Sequence, residues 1–240
     1  VRLESSGAVT SGNNASITVT ADSVNIVATS GGIDSGNGQT TIRPRTAGTQ
    51  IDLGGADVLS GSPLTLGLTS AEVNLIIAGS LVIGRDDIAT GTATVSSPIA
   101  PTNSTALELI TARNILVSAN LSAASGGLKL RANQQATATS GNFIGIDVNG
   151  ATATTTGGGN VLLQGRGGKT GSSNNGIRVQ NSGVVTGTGT VTVTGIGGAS
   201  TGGSNYGVYV VGVFSRITSS GGAVSVTGTG GGAGGSSTNH

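Results

Sequence analysis

Short aliphatic segments recur at near-constant spacing in the second half of the chain, and this period constrains the fold more than any single residue. The segments begin, at steps of 33, 30 and 33 residues, with Leu128, Val161, Val191 and Val224. A second apolar segment follows a glycine that recurs at steps of 31 residues, at Gly145, Gly176 and Gly207. Self-similarity at such a period is typical of repeat proteins, so the spacing predicts a stack of similar units.

Each period contains three strand-like pieces. In the repeat that begins at Val191, the pieces centre on Val191 and Val193, on Val208 and Val210, and on Ile217. Alternation of Val with Thr places Val on one face and Thr on the other. The glycine-serine run between the first two pieces is predicted to be a corner. Three short strands separated by bends describe one coil of a parallel β-solenoid, whose coils stack about 4.8 Å apart.

Alternating segments bounded by Gly, Asn, Asp or Ser predict strands elsewhere too. They lie at 16–21, 24–28, 40–44, 51–55, 64–68, 81–85, 107–111, 115–119 and 128–132. The predicted fold is all-β, with solenoid coils and a helical insertion over 1–127 and Gly-rich repeats of 30–33 residues continuing the same solenoid over 128–240. Burial of one Val contributes only about 1.5–3 kcal/mol, so a glycine-rich coil is expected to be stable only within a stack.

One segment departs from the strand pattern. Thr69 is followed three residues later by Glu72, which is the capping-box spacing, and Gly79 is a candidate stop. A short helix is therefore predicted near 70–77, packed against or plugging the side of the solenoid. An irregular outer corner is the alternative.

Composition excludes several classes of protein. The chain has 45 glycines, no Cys, Met or Trp, 9% charged residues and a net charge of +1. Regularly spaced aliphatics argue against disorder. Scattered charges offer no basic stripe for nucleic acid, and no apolar run reaches the roughly 18 residues of a membrane helix. Absence of cysteine fits a reducing compartment or a secreted bacterial fibre.

Both ends of the sequence indicate a processed or partial piece of a longer protein. The chain begins with Val1 and has no signal peptide. It ends at His240 inside a predicted corner, where earlier copies continue into a strand. No cap is recognisable at either end, so the expectation is either a segment of a longer chain or end-to-end stacking of copies.

The chain offers little for catalysis. Parallel β-helices also form polysaccharide lyases and hydrolases, whose sites need clustered carboxylates. The close pairs here are Asp52 with Asp57 and Asp86 with Asp87, and both are predicted to be turn residues. His240 is the sole histidine, which excludes a His-based triad or zinc site. The chain is therefore predicted not to be an enzyme. A groove that gathers Asp34, Asp52, Asp86 or Asp147 beside an arginine would revive the enzymatic alternative.

No metal or cofactor is predicted. The glycine-rich runs lack the aspartate of calcium-binding nonapeptides. The stretch 165–171 lacks the P-loop spacing, and its later counterparts replace Lys169 with Ala199 and Ala233. Threonine runs at 152–156 and 190–194 do not recur at one coil position, which argues against an ice-binding array, and Thr has a high β propensity anyway.

Two sets of surface residues remain. Asn14, Asn103 and Asn120 begin glycosylation sequons, although chance matches are common in a chain rich in Ser and Thr. Tyr206 and Tyr209 are candidates for contact with sugar or a neighbouring fibre. The alternative is that the aromatic residues, which include Phe143 and Phe214, cover a corner.

The segments at 51–85 and 107–132 resemble the repeats of bacterial filamentous-haemagglutinin-like exoproteins, which are large secreted β-solenoid adhesins and surface fibres. The matching features are the run from Ile51 to Asp57, the run from Leu66 to Thr69, and Ala78-Gly79 followed by Leu81, Ile83 and Gly84. The match covers about a third of the chain. The Gly-rich half resembles the repeats of the same giant surface proteins less specifically.

The resemblance implies a right-handed parallel β-helix, export to the cell surface and a structural or adhesive role. It supplies no catalytic residues, and the family's secretion domain is not recognisable here. The expected localisation is extracellular, secreted or at the cell surface. The expected partners are copies of the chain or further repeats of it, with host or environmental glycans as a second possibility, and neither nucleic acid nor a membrane span is expected.

Overall fold

The computed structural model describes residues 1–28 and 32–233, and this part of the chain is nearly all β. Its one helix there is α1 (Ser70–Val73). The strands are β1 (Arg2–Ser5), β2 (Ala8–Thr10), β3 (Ile17–Thr20), β4 (Asn25–Ala28), β5 (Gly32–Asp34), β6 (Gln39–Arg43), β7 (Gln50–Leu53), β8 (Thr65–Leu68), β9 (Ile76–Arg85), β10 (Ala93–Val95), β11 (Ser104–Thr111), β12 (Ile115–Val117), β13 (Leu121–Ala123), β14 (Gly127–Ala132), β15 (Ile146–Asn149), β16 (Thr152–Thr155), β17 (Val161–Arg166), β18 (Ile177–Gln180), β19 (Val184–Gly187), β20 (Val191–Ile196), β21 (Val208–Val210), β22 (Arg216–Ser219) and β23 (Val224–Thr229). Each of the nine segments predicted as strands overlaps an observed strand.

The strands form stacked sheets in which every named pair is parallel. Sheet 1 has ten strands and runs from β2 and β3 through β9, β11, β14, β17 and β20 to β23. Sheet 2 has the seven-strand order β8-β7-β10-β12-β15-β18-β21, and sheet 3 the order β13-β16-β19-β22. From β11 onward the chain visits sheets 1, 2 and 3 in turn. This arrangement is consistent with the predicted β-solenoid.

The predicted register of the repeats is confirmed. The first apolar residues of four successive repeats are neighbours in sheet 1, in the order Leu128, Val161, Val191 and Val224. In sheet 2, Ile146 pairs with Ile177 and Ile177 with Val208. Two-residue alternation selects the inward face of each strand, and the repeat length selects its neighbour.

The core consists of rows of aliphatic side chains that run across the sheets. One row of sheet 1 contains Leu109, Leu130, Leu163 and Val193, all of which are fully buried. Val224 and Val226 in β23 are 44% and 48% exposed, because no described strand lies beyond β23 in sheet 1. Val224, the first residue of its repeat, is therefore not buried like its counterparts Leu128, Val161 and Val191. Each side chain in a row is stabilised by the side chains of the two strands that flank its own strand.

Strand β8 occupies a position that its sequence does not indicate. It follows β7 in the chain, yet it lies on the side of β7 opposite β10. The chain passes from β3 to β4 over residues 21–24 without a strand in sheet 2, so the place beside β7 is open. Leu66 and Leu68 are fully buried there, and β8 thereby completes the N-terminal end of sheet 2.

The helix forms where it was predicted, but it is shorter. The Thr69 side chain accepts from the backbone of Glu72, and the Glu72 side chain accepts from the backbone of Thr69, so the capping box is present. The helix ends at Val73 rather than near residue 77 because β9 begins at Ile76, and Gly79 lies inside that strand. Ile76 is fully buried and Ile77 is 45% exposed, which is the two-residue alternation of a strand.

Two columns of glycine lie where sheets 1 and 2 approach each other. A Cβ added to Gly165 or Gly195 in sheet 1 would overlap the carbonyl oxygen of Gly176 or Gly207, respectively. Both carbonyl groups accept backbone hydrogen bonds, from Ile146 and Ile177, at 2.9 Å. These glycines are therefore required by the close approach of two backbones at each repeat.

Candidate functional site

The outer face of sheet 1 is chemically mixed along the repeats. One outward row contains Glu108, Lys129, Leu162, Thr192 and Ser225. A second row contains Ile110, Arg131, Gln164, Thr194 and Thr227. Threonine therefore forms no uniform array across this sheet.

The two predicted contact tyrosines lie together beside the outer face of sheet 2. Tyr209 is 36% exposed, and its ring centroid is 4.9 Å from that of Tyr206 with the planes tilted by 34°. The backbone N–H of Tyr206 donates to Asn175 Oδ1 at 3.0 Å. The pair presents an aromatic surface of the kind that packs against a sugar ring or another apolar group.

A charged pair lies on the strands next to this aromatic surface. Tyr209 neighbours Arg178 in the register of sheet 2, and Arg178 neighbours Asp147. Arg178 donates to both carboxylate oxygens of Asp147, at 3.1 and 2.7 Å. Gln180 Nε2 lies 3.2 and 3.1 Å from the same oxygens. Asp147 is only 9% exposed. Its two hydrogen bonds from Arg178 therefore hold the guanidinium group in place on the strand next to Tyr209.

The carboxylates that could revive an enzymatic role are not gathered with one another, although Asp86 lies beside Arg131 and Asp147 beside Arg178. Asp52 and Asp147 share an outward row of sheet 2, but β10 and β12 separate them, a distance of about 14 Å for three strand spacings. Asp34 accepts from the N–H of Gly36 at 2.7 Å. Asp86 lies 3.7 Å from Arg131. Each acid therefore has its own surroundings.

The prediction that the close acidic pairs are turn residues is right for Asp86 and Asp87 and wrong for Asp52. Asp86 and Asp87 form a bend directly after β9. Asp52 lies inside β7, because Ile51 and Leu53 on either side of it are buried in the core. A hydrogen bond from Arg85 lowers the pKa of Asp87 and raises that of Arg85, so this pair ties the bend to the end of β9.

Metal ligands are not clustered in the described part of the chain. No group of three or more His, Cys, Asp or Glu side chains there could hold a metal ion. His240 lies outside the described residues. A long apolar helix that could cross a membrane is likewise not found among them.

The three sequon asparagines are exposed, and each is hydrogen-bonded to another part of the chain. Asn14 Oδ1 accepts from the N–H of Asn37 at 2.9 Å, and Asn120 Oδ1 accepts from that of Thr152 at 2.9 Å. Asn103 Nδ2 donates to the carbonyl oxygen of Asn74 at 2.7 Å. Glycosylation at these positions stays a prediction.

A buried asparagine ladder, which was not predicted, supports the corners between sheets 1 and 2. The N–H of Phe143 donates to Asn174 Oδ1 at 2.8 Å, and the N–H of Asn174 donates to Asn205 Oδ1 at 3.0 Å. Asn174 and Asn205 are fully buried. Their spacing of 31 residues equals that of the glycine column, which is the sequence signal that identifies them.

A groove of about 510 Å³ lies at the N-terminal end of the stack. Its apolar lining includes Ile26, Val27 and Leu59, and two carboxylates, Asp57 and Glu72, also line it. These residues come from β4, from the connection after β7 and from α1, so only the backtracking of β8 brings them together. Sequence reasoning did not find the groove, since its residues share no motif.

Both carboxylates of the groove are held by hydrogen bonds. Asp57 accepts from the N–H of Gly67 at 2.8 Å and from Ser23 Oγ at 2.6 Å. Glu72 accepts from the N–H of Ile26 at 3.1 Å and from the N–H of Thr69 at 2.9 Å. No described Lys or Arg lies within 4 Å of either carboxylate. The groove is therefore apolar with an uncompensated negative charge.

Comparison with known proteins gives no relative for this chain. No family model, curated protein or solved structure matches it. Its function must therefore be inferred from the residues and their arrangement.

Proposed function

We propose that the chain is a structural segment of an extracellular bacterial surface protein, built as a right-handed parallel β-solenoid with about three strands per coil. Its role is mechanical: stacked coils form a stiff filament or stalk for attachment. The resemblance of the sequence at 51–85 and 107–132 to haemagglutinin-like repeats supports export. The proposed role involves neither catalysis nor a cofactor.

The observation that carries the proposal is the unbroken register of the repeats. Inward aliphatic residues lie beside the same kind of residue in each neighbouring repeat, as Leu130, Leu163 and Val193 do. In a solenoid each repeat contacts only its neighbours, so length is gained by adding repeats without a new core. The carboxylates fit the same role, because Asp57, Glu72 and Asp147 hold neighbouring segments together.

Immunogold electron microscopy of intact cells of the source bacterium, with antibodies raised against this chain, tests the proposal. Gold is expected along extended structures outside the outer surface of unpermeabilised cells. Cells that lack the coding region are the control, and they should carry no gold. Labelling that requires permeabilisation would overturn the proposed localisation, and labelling of compact particles would contradict a filament or stalk.

A glycan-binding adhesin module is the second candidate, and the Tyr206–Tyr209 pair favours it. A neutral or acidic sugar would stack on the rings, with Arg178 below Tyr209 as a hydrogen-bond donor. A glycan array probed with the chain and with Tyr209→Ala tests this function. Loss of bound glycans in the variant alone would support it, whereas identical profiles or no bound glycan would contradict it.

A further inference from the structure

An exposed apolar knob lies at the opposite end of the stack from the acidic groove. The connection between β21 and β22 spans residues 211–215, two residues more than the connection 181–183 between β18 and β19. The longer connection carries Val213 and Phe214, which are 73% and 76% exposed. We call Val213, Phe214 and Arg216 the knob.

The knob is held in a fixed conformation. Phe214 has φ 65°, a region that bulky side chains rarely adopt. Ser182 Oγ donates to the carbonyl oxygen of Val213 at 3.1 Å, and the N–H of Ser182 donates to Ser215 Oγ at 3.2 Å. Arg216 Nη1 donates to the carbonyl oxygen of Phe214 at 3.3 Å. A constrained backbone that exposes an aromatic side chain is characteristic of contact sites.

The chemistry of the knob complements that of the groove. The knob offers two large apolar side chains and a guanidinium group that has no carboxylate within 4 Å among the described residues. The groove offers apolar residues and the carboxylates of Asp57 and Glu72. The knob and the part of the groove at 56–59 lie where the chain leaves sheet 2, after β21 and after β7 respectively. The two therefore lie along the same edge of the stack, at opposite ends.

The two halves of the chain carry opposite net charges, negative on the side of the groove and positive on the side of the knob. Residues 1–108 contain nine of the ten acidic and four of the eleven basic residues, a net charge of −5. Residues 109–240 contain the remaining one acidic and seven basic residues, a net charge of +6. Long-range attraction between opposite ends of two copies favours head-to-tail encounter.

We propose that the knob of one copy inserts into the acidic groove of a second copy, so that copies join head to tail. The contact is heterologous, because it uses different surfaces on the two copies and can therefore extend into an open chain. It deepens the proposed filament function and rests on it for its biological role. With one aromatic anchor, the expected dissociation constant is on the order of 10–100 μM.

Sedimentation velocity of the chain and of two variants tests the contact. In Phe214→Asn the knob is removed, and Asn tolerates positive φ. In Leu59→Arg the groove is filled and its charge offset. Each variant alone is expected to self-associate at least about tenfold more weakly than the wild type. Their equimolar mixture is expected to form a 1:1 heterodimer, because one copy keeps the groove and the other the knob.

Controls separate this contact from misfolding and from the proposed function. Ser60→Arg adds the same charge beside the groove without lining it, and should associate like the wild type. Ala71→Arg, on the exposed side of α1, replaces Leu59→Arg if circular dichroism shows that variant to be unfolded.

A monomeric wild type at about 200 μM, self-association of Phe214→Asn at wild-type strength, or a monomeric mixture would each overturn the contact. Surface labelling of cells would be unaffected by these outcomes.

Discussion

Gly195 and Gly207 lie where sheets 1 and 2 come into backbone contact, so a side chain is excluded at this point. In Gly195→Ala the new Cβ would meet the carbonyl oxygen of Gly207, and backbone must move in a well-packed repeat. The free energy of unfolding is expected to fall by about 1–3 kcal/mol, measured by urea denaturation. Gly12→Ala is the matched control, because its Cβ meets nothing within 4 Å and its stability should stay within about 0.5 kcal/mol of the wild type. Equal stability of the two variants would contradict the close approach.

Asp22 stabilises a connection between the first two repeats in a pH-dependent manner. Its carboxylate accepts from the N–H and hydroxyl of Thr46, at 2.7 and 2.6 Å, and from the N–H of Arg45 at 2.9 Å. Burial raises the pKa of Asp22, but these hydrogen bonds and one from Thr49 lower it more, so the pKa is below its ordinary value of 3.8. The folded state therefore binds fewer protons than the unfolded state near that pH.

The sign of the effect follows from the lowered pKa. The stabilisation by Asp22 is fully present above pH 4 to 5 and is lost as pH falls through the folded-state pKa. Asp22→Asn is expected to cost about 1–2 kcal/mol at pH 7, and the difference from the wild type should shrink toward pH 2. Thermal melts at pH 7, 4 and 2 measure it. A difference that is constant with pH would show that the carboxylate charge is not responsible.

Asp87 provides the comparison for Asp22. Its pKa is also lowered, by Arg85, but its side chain is 59% exposed. Solvent screens such a pair, so Asp87→Asn is expected to change stability by no more than about 0.5 kcal/mol at pH 7.

The elements depend on their neighbours more than on their own sequence. Val193 is fully buried in β20 between Leu163 and Val226 of the adjacent strands. Val193→Asp places a carboxylate in this aliphatic row, where an unpaired charge costs several kcal/mol. A loss of at least about 4 kcal/mol or local unfolding of the stack is expected by denaturant titration. Thr192→Asp, on the outer face of the same strand, should be within about 1 kcal/mol of the wild type, and similar losses in the two variants would refute the assigned faces.

Much of the repeat architecture could be predicted from the sequence because its signals are local. Alternation of Val and Thr in β20 gives the strand and its inward face, and the 30–33-residue spacing gives the neighbour of Val191. The boundary of α1 was wrong because Leu75, Ile76 and Ile77 continue an apolar run that suits a helix as well as a strand. Pairing of Ile76 with Ile33 in sheet 1 decides for the strand.

The groove and the knob could not be predicted because they depend on long-range placement. The segment that forms β8 reads as a strand, but nothing in it specifies that it pairs with β7 on the N-terminal side. Asp57 and Glu72 line the same groove only as a result of that pairing. Nothing in the sequence distinguishes Phe214 from the other aromatic residues, and its positive φ and exposure are properties of the folded connection.

The whole molecule should unfold as a stack of coupled repeats rather than as one compact unit. Strands β11, β14 and β17 each have a neighbour on both sides in sheet 1, whereas β23 has only β20 among the described strands. In a nearest-neighbour stack, stability decreases toward the ends. Hydrogen exchange detected by mass spectrometry is therefore expected to show the slowest exchange over 104–166 and the fastest over 216–229.

The same measurement on Val193→Asp separates local from global coupling. If repeats are stabilised mainly by their neighbours, the variant should exchange faster over about 161–229 and like the wild type over 76–111. The measurement is made below the concentration at which copies associate, because a second copy on the knob would protect residues 211–216. Uniformly faster exchange along the chain would show that the described repeats unfold together, and the proposed stalk would then be a single cooperative unit rather than a series of linked coils.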